Sequence, residues 1–248
     1  MSDLLLSIND NIQRVQEQIA IACAKVNRNE DDVTLIAVSK THPVDAITEA
    51  INAGLSNFGE NRVEESQLKV PEINNRVDIK PTWHYIGHIQ SRQAKDIAPL
   101  FDVFHSIDRL KIARKLSTLA QDANKTIEGM IEINISGERA KYGFDASNWK
   151  NDNSVKAQLW QDLETIISLP NLKIRGLMTM APFYDNMEAT RPVFAGLAEL
   201  RETIQNDFGL HLDDLSMGMT NDFPIAIEEG ATMVRIGRAI FGTHKQKQ

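Results

Sequence analysis

The 248-residue chain sets 27 Lys and Arg against 34 Asp and Glu, for a formal net charge of −7, with 42% hydrophobic and 25% charged residues. These are ordinary values for a soluble globular protein, and the acidic balance argues against nucleic acid as a partner, because such surfaces are usually basic. No apolar run is long enough to span a bilayer, Met1–Leu6 lacks a basic leader with a small-residue cleavage site, and one cysteine, Cys23, excludes an internal disulfide and any multi-cysteine metal centre. A cytoplasmic protein is expected.

The chain opens with a helix. Leu5, Ile8, Ile12, Val15, Ile19, Ala22 and Val26 recur at steps of three and four, and Cys23 falls on the same stripe as a buried thiol. Eight strand-like runs follow, at Val33–Ser39, Ser56–Gly59, Thr82–Gly87, Val103–Ile107, Gly129–Ser136, Lys173–Met180, Asp214–Gly218 and Thr232–Gly237. Helical stretches separate them, at Val44–Ala53, Val63–Asn74, Ser91–Leu100, Arg109–Ala123, Ser154–Leu169, Glu188–Phe208 and Phe223–Glu229, with Gly54, Pro170, Gly209 and Gly230 as stops. Alternating strand and helix implies parallel strands joined by helical crossovers. Eight such units in this length predict a closed (β/α)8 TIM barrel with an extra N-terminal helix, as one domain over residues 1–248. The alternative is an open doubly wound sheet, but the first turn, Ser39-Lys40-Thr41-His42-Pro43, has no glycine. Lys141–Asn153 is the longest irregular stretch and is expected to be a surface loop.

In such barrels the chemistry sits at the carboxyl ends of the strands. The first strand, Val33-Thr34-Leu35-Ile36-Ala37-Val38-Ser39-Lys40, is apolar until its last residues. An ammonium buried there is costly unless paired or deprotonated, and a lysine amine freed in this way can form a Schiff base. Loops after the seventh and eighth strands commonly hold phosphate in this fold. Gly237 permits close backbone approach, Arg238–Phe241 can form one helical turn, and Thr220 is placed as the N-cap of a helix with Pro224 in its first turn. In a closed barrel the eighth strand neighbours the first, so a lysine and a phosphate site lie close together. A phosphorylated aldehyde fits both, and pyridoxal 5′-phosphate (PLP) is one. Arg235, two residues before Gly237, then falls near the pyridine nitrogen. An arginine cannot accept a proton and would weaken the ring as an electron sink.

Each of these residues also has a plain structural reading: Lys40 reaching solvent, Thr220 only capping, Gly237 only turning, Arg235 in a rim salt bridge. His84 and His88 could contribute to a metal site, but no third ligand is evident. His42, His105, His211 and His244 are scattered, and Glu60, Glu64 and Glu65 read as the acidic first turn of a helix. Ser136 lacks a nucleophile elbow, Tyr142 is an isolated candidate proton donor, and no phosphate-loop or Rossmann motif is present.

Eight ordered segments resemble the pyridoxal phosphate homeostasis protein family: Ala37-Val38-Ser39-Lys40-Thr41, Phe58-Gly59-Glu60-Asn61, Trp83-His84-Tyr85-Ile86-Gly87, His105-Ser106-Ile107-Asp108, Ile133-Asn134-Ile135-Ser136-Gly137-Glu138, Gly176-Leu177-Met178-Thr179-Met180, Leu215-Ser216-Met217-Gly218-Met219 and Val234-Arg235-Ile236-Gly237. The likeness runs from about Leu4 to Gly242. It implies a barrel like the N-terminal domain of alanine racemase, with PLP on Lys40, its phosphate near Ser216, Thr220 and Gly237, and its ring nitrogen at Arg235. Asn61, Met178 and Lys141 fall near the cofactor by the same match. Two departures stand out: Thr220 replaces a frequent serine, and Ser91-Arg92-Gln93-Ala94-Lys95 replaces an Asn-Lys element at one rim. The implied role is a PLP carrier acting in homeostasis, which hands its cofactor to PLP-dependent apo-enzymes and has no strong catalysis of its own; separately, the pattern shows no exposed apolar patch, so a monomer is expected. A racemase using Lys40 and Tyr142, and a Schiff-base aldolase with Glu60 beside the lysine, are the alternatives. The carrier is favoured because Arg235 discourages carbanion formation and the chain stops at Gln248, soon after the eighth strand, where racemases of this type add a β-domain carrying a second base.

Overall fold

The computed structural model describes residues 7–138 and 140–242. Leu5 of the first helical stripe, the leader reading over Met1–Leu6, and His244 lie outside them. The first helix, α1 (Ile8–Lys25), starts at a reciprocal cap: the Asp10 N–H donates to Ser7 Oγ, and the Ser7 N–H donates to Asp10 Oδ2, each at 3.1 Å. Its stripe buries Ile12, Val15, Ile19, Ala22 and Cys23. Asn11 Nδ2 donates to the Ile240 carbonyl at 3.0 Å, tying this helix to the end of the barrel chain.

Eight parallel strands close on themselves. They are β1 (Thr34–Val38), β2 (Asn57–Glu60), β3 (Thr82–Tyr85), β4 (Val103–Ile107), β5 (Ile127–Asn134), β7 (Leu172–Met178), β8 (Asp214–Met219) and β9 (Met233–Ile236); a two-residue strand, β6 (Phe144–Asp145), flanks β5. The hydrogen-bonded order runs β4-β3-β2-β1-β9-β8-β7-β5, and a β4–β5 pairing completes the ring. The crossovers are α2 (Val44–Asn52), α3 (Val63–Arg76), α4 (Ala94–Ile97), α5 (Leu110–Asp122), α6 (Asn153–Ile167), α7 (Arg191–Phe208) and α8 (Phe223–Glu228), and a last turn, α9 (Arg238–Phe241), follows β9. The predicted barrel with its extra helix is the fold observed.

Side chains alternate between two layers, as a strand period of two requires. Ile36, Val103, Met130, Met178 and Met233 form the interior cluster. Their neighbours, among them Ala37, Phe104, Ile131, Leu177 and Val234, join the larger core beneath the helices. The interior therefore continues through His105, two residues after Val103, and Arg235, two after Met233. Strands β7 and β8 approach closely at Gly176, where a Cβ would stand 1.8 Å from the Asp214 carbonyl oxygen.

Several local expectations differ from the structure. The irregular stretch from Lys141 to Asn153 contains β6, paired in parallel with Ile133 and Asn134. The helix read over Ser91–Leu100 shrinks to the single turn α4, and the start read at Glu188 is a 3-10 turn, Met187–Thr190, before α7. Thr220 does not cap α8. Asp222 holds that position, and its Oδ1 accepts the Met219 N–H at 2.6 Å. Glu60 is the last residue of β2 rather than part of a helical first turn, whereas Glu64 and Glu65 do open α3.

Candidate functional site

Lys40 stands two residues beyond β1, at the carboxyl end of the barrel, in an exposed turn. The expectation of a buried amine is thus corrected: the strand stops at Val38, and the buried position falls to Ser39, which is fully enclosed. The turn bends through Thr41, whose φ of 67° is uncommon for a β-branched residue. It is held from below. The Thr41 N–H donates to Glu65 Oε1 at 2.6 Å, and Ser39 Oγ donates to Glu60 Oε1 at 2.7 Å. A second lysine, Lys69 on α3, donates to the Ser39 carbonyl at 3.1 Å and to Glu60 at 3.0 Å, and it also pairs with Glu65. Lys69 is the buried lysine of this region, and the sequence reading missed it. His42 stacks on Phe241 with ring centroids 4.9 Å apart, which joins the Lys40 turn to the turn after Gly237.

Arg235 lies on β9 beside β1, its Cα paired with that of Ile36. Only 5% of it is exposed. Its guanidinium donates from Nη1 to Ser216 Oγ at 2.5 Å and from Nη2 to the Thr179 carbonyl at 3.0 Å. Burial pulls its pKa down to about 10, against the raising influence of Glu132 and Asp222, so it stays a cation at neutral pH. A polar column continues beneath it. His105 Nδ1 lies 2.8 Å from Ser216 Oγ, His105 Nε2 lies 2.9 Å from His84 Nδ1, and His84 Nε2 lies 3.0 Å from Asn57 Oδ1. Ser216 is therefore committed to Arg235 and His105, inside the barrel. His84 and His88 do not converge: His88 stacks on Tyr142 at the rim, 3.9 Å between centroids, with Nδ1 3.0 Å from Asp108 Oδ2.

The remaining predicted residues gather at the same mouth. Gly237 follows β9, and a Cβ there would meet the Val38 carbonyl oxygen at 3.0 Å, so only glycine brings these two chain segments together without displacement. Thr220 is half-buried in the turn after β8. Met178 sits in the interior cluster at the end of β7. Lys141 reaches across the rim, donating to the Met180 carbonyl at 3.0 Å and pairing with Glu138 at 2.6 Å. The Oδ1 of Asn61 and the Oε2 of Glu60 are buried without a hydrogen-bond partner. Sequence reasoning also missed Glu132, which projects from β5 with 3% exposure. Burial and then Asp108 push its carboxyl up to about 7, and Arg235 and Arg109 pull it back only in part. The signal was available: Glu132 lies two residues after Met130, on the inward parity of the strand and flanked by Ile131 and Ile133.

A buried cation deep in the mouth, a lysine at the rim, a buried Asn61 Oδ1 left without a partner and a glycine whose backbone runs close to Val38 suit a phosphorylated pyridine aldehyde, so the residues fit PLP. The family described as alanine racemase, N-terminal domain, matches residues 10–245. The pyridoxal phosphate homeostasis protein of Aquifex aeolicus is 38% identical over 236 residues, covering 95% of this chain and 98% of that protein. That of Vibrio alginolyticus is 41% identical over 237 residues, covering 95% and 97%. Among solved structures, PipY of Synechococcus elongatus with PLP bound is 34% identical, covers 90% of this chain and 100% of its own, and superposes with a TM-score of 0.75. An alanine racemase of Clostridium difficile, 16% identical with a TM-score of 0.67, shares the fold over 96% of this chain and 58% of its own.

Proposed function

The chain belongs to the pyridoxal phosphate homeostasis protein family, and on that premise we propose that it carries PLP as a Schiff base on Lys40 and contributes to intracellular PLP homeostasis, without strong catalysis of its own. When bound, PLP supplies an aldehyde that condenses with an amine and a ring that can delocalise charge. The protein supplies the rest. Lys40 presents the amine on a turn held by Glu65, Ser39 and Lys69. Gly237 and Thr220 border the phosphate region, Asn61, Met178 and Lys141 line the mouth, and Ser216 supports Arg235 from within.

The single observation that carries this reading is the Arg235 guanidinium. It is enclosed and bonded to a hydroxyl and a carbonyl, and it remains protonated at neutral pH. Facing a pyridine nitrogen, it donates a hydrogen bond and takes no proton, which limits the withdrawal of electrons that racemisation needs. Storage and delivery follow more naturally than turnover. The whole chain, 1–248, acts as one domain and one monomer in the cytoplasm, with PLP-dependent apo-enzymes as acceptors and no nucleic acid among its partners. Among the described residues no helix is long and apolar enough to cross a membrane.

Absorbance spectroscopy tests the proposal. The protein mixed with PLP should develop a yellow Schiff-base band that Lys40→Ala abolishes, and it should not exchange the α-proton of free amino acids in deuterium oxide. Rapid exchange with alanine would establish a racemase instead, and a band retained in Lys40→Ala would remove the lysine from its role.

A further inference from the structure

The polar column beneath Arg235 has a direction set by valence. Arginine has donors only, so Ser216 Oγ accepts from Nη1. The Ser216 hydroxyl has one hydrogen to give, the residue is fully enclosed, and the other ring atom within reach is His105 Nδ1 at 2.8 Å. Ser216 therefore donates to Nδ1 and leaves the His105 proton on Nε2. That proton goes to His84 Nδ1 at 2.9 Å, so His84 in turn carries its proton on Nε2 and donates it to Asn57 Oδ1 at 3.0 Å. Asn57 closes the run at the amino end of the barrel, its Nδ2 donating to Ser56 Oγ at 3.2 Å. Every ring nitrogen has one partner of the right kind, provided both histidines are neutral and both carry the Nε2 proton.

The charges around the column act in the same sense. His84 is 1% exposed and His105 fully enclosed. Burial leads, and Arg175 of β7 adds to it for His84, whose pKa falls to about 3; for His105, burial, His84, Arg235 and Arg175 all press downward. Arg175 is itself paired with Glu128 and Asp214, each at 2.8 Å, while Glu132 on β5, which Asp108 and Arg109 also reach, and Asp222 before α8 both act on Arg235. A proton cannot travel the length of the column, because one end is an arginine and the other an amide oxygen. The column orients.

We propose that His105 and His84 are positioning residues, which act through Ser216 to aim the Arg235 guanidinium at the cofactor ring across the barrel mouth. The proposal rests on Arg235 as the ring's partner. The alternative, that the two histidines only fill the barrel, is weakened by the interior cluster beside them: Ile36, Val103, Met130, Met178 and Met233 show that apolar side chains fill this space. A buried polar chain is retained at a cost unless each member is satisfied, and here each one is.

Two measurements on the full-length protein test it. In the PLP-free protein, long-range proton–nitrogen correlation spectra should show His84 and His105 as neutral Nε2–H tautomers that do not titrate between about pH 8 and pH 5. Either ring as the Nδ1–H tautomer, or charged in that range, overturns the column. PLP binding is then read by absorbance titration and by the pH profile of the Schiff-base band. His105→Leu should weaken binding about tenfold or more, the scale of a misplaced hydrogen bond to a charged group, and His105→Gln, which keeps one donor and one acceptor, should recover most of it. Ser216→Ala, a smaller change, should weaken binding similarly and shift the band's pH profile while the thermal melt stays cooperative. Binding within twofold of wild type in a folded His105→Leu or Ser216→Ala refutes the positioning role. Failure of the wild-type protein to bind PLP would refute the carrier reading while leaving the tautomer result intact, so the two failures are separable.

Discussion

Lys69→Met removes the one cation from a buried cluster and tests whether the platform under Lys40 is electrostatic. Lys69 has a side-chain exposure of 6% and Glu60 of 0%, and they meet at 3.0 Å. Breaking such a pair leaves an uncompensated buried carboxylate, at a cost of about 3–5 kcal/mol. At about 2–4 °C per kcal/mol for a chain of this size, the melting temperature should drop by about 6–20 °C. The loss depends on pH. Burial already raises the Glu60 carboxyl, with Lys69 and then Ser39 opposing it. A carboxyl raised in the folded state costs nothing below its unfolded pKa and becomes a burden as pH rises through the folded one. Without Lys69 that burden grows. Urea titrations should therefore show a larger deficit at about pH 8 than at about pH 5, where a proton replaces the ammonium. The double variant Glu60→Gln/Lys69→Met should regain much of the stability at the higher pH. An equal deficit at both pH values, or one below about 1 kcal/mol, would refute the reasoning.

Glu132→Gln should stabilise the protein at about pH 8, by up to about 3 kcal/mol given a carboxyl pushed up to about 7, and should be neutral at about pH 4; denaturant titration at the two pH values checks it. Gly176→Ala should give no folded protein by circular dichroism, since the added Cβ would fall 1.8 Å from the Asp214 carbonyl oxygen in the closed barrel. Cys23 is 1% exposed and burial raises its thiol pKa, so Ellman's reagent should modify it only as fast as the barrel opens, with immediate reaction in urea.

The strands and crossovers were legible because each carries its own local signal. The β4 run, Val103–Ile107, and the closing turn Arg238–Phe241 match the structure at both ends. Arg235 was legible too, since two-residue spacing puts it on the face of Gly237. What the sequence hid was pairing across the chain. Lys69 lies in a helix with ordinary charge content, and nothing local says that Glu60, at the end of a neighbouring strand, lies beneath the same turn. For the same reason Lys40 was assigned the burial that belongs to Lys69. His84 and His105, 21 residues apart, read as a possible metal pair member and a scattered side chain. Their parity was visible, since Trp83, Tyr85 and Phe104 alternate with them as outward apolar residues, but their mutual contact requires the closed ring. Thr220 failed as a cap because α8 starts only at Phe223, which puts Asp222 at the capping position.

Borohydride reduction of the PLP-loaded protein, followed by digestion and peptide mass mapping, addresses the central claim directly. The reduced pyridoxyl adduct should appear on the peptide containing Lys40 and on no other. An adduct confined to Lys69, Lys141 or another lysine, or no adduct from a protein that has turned yellow, would contradict it.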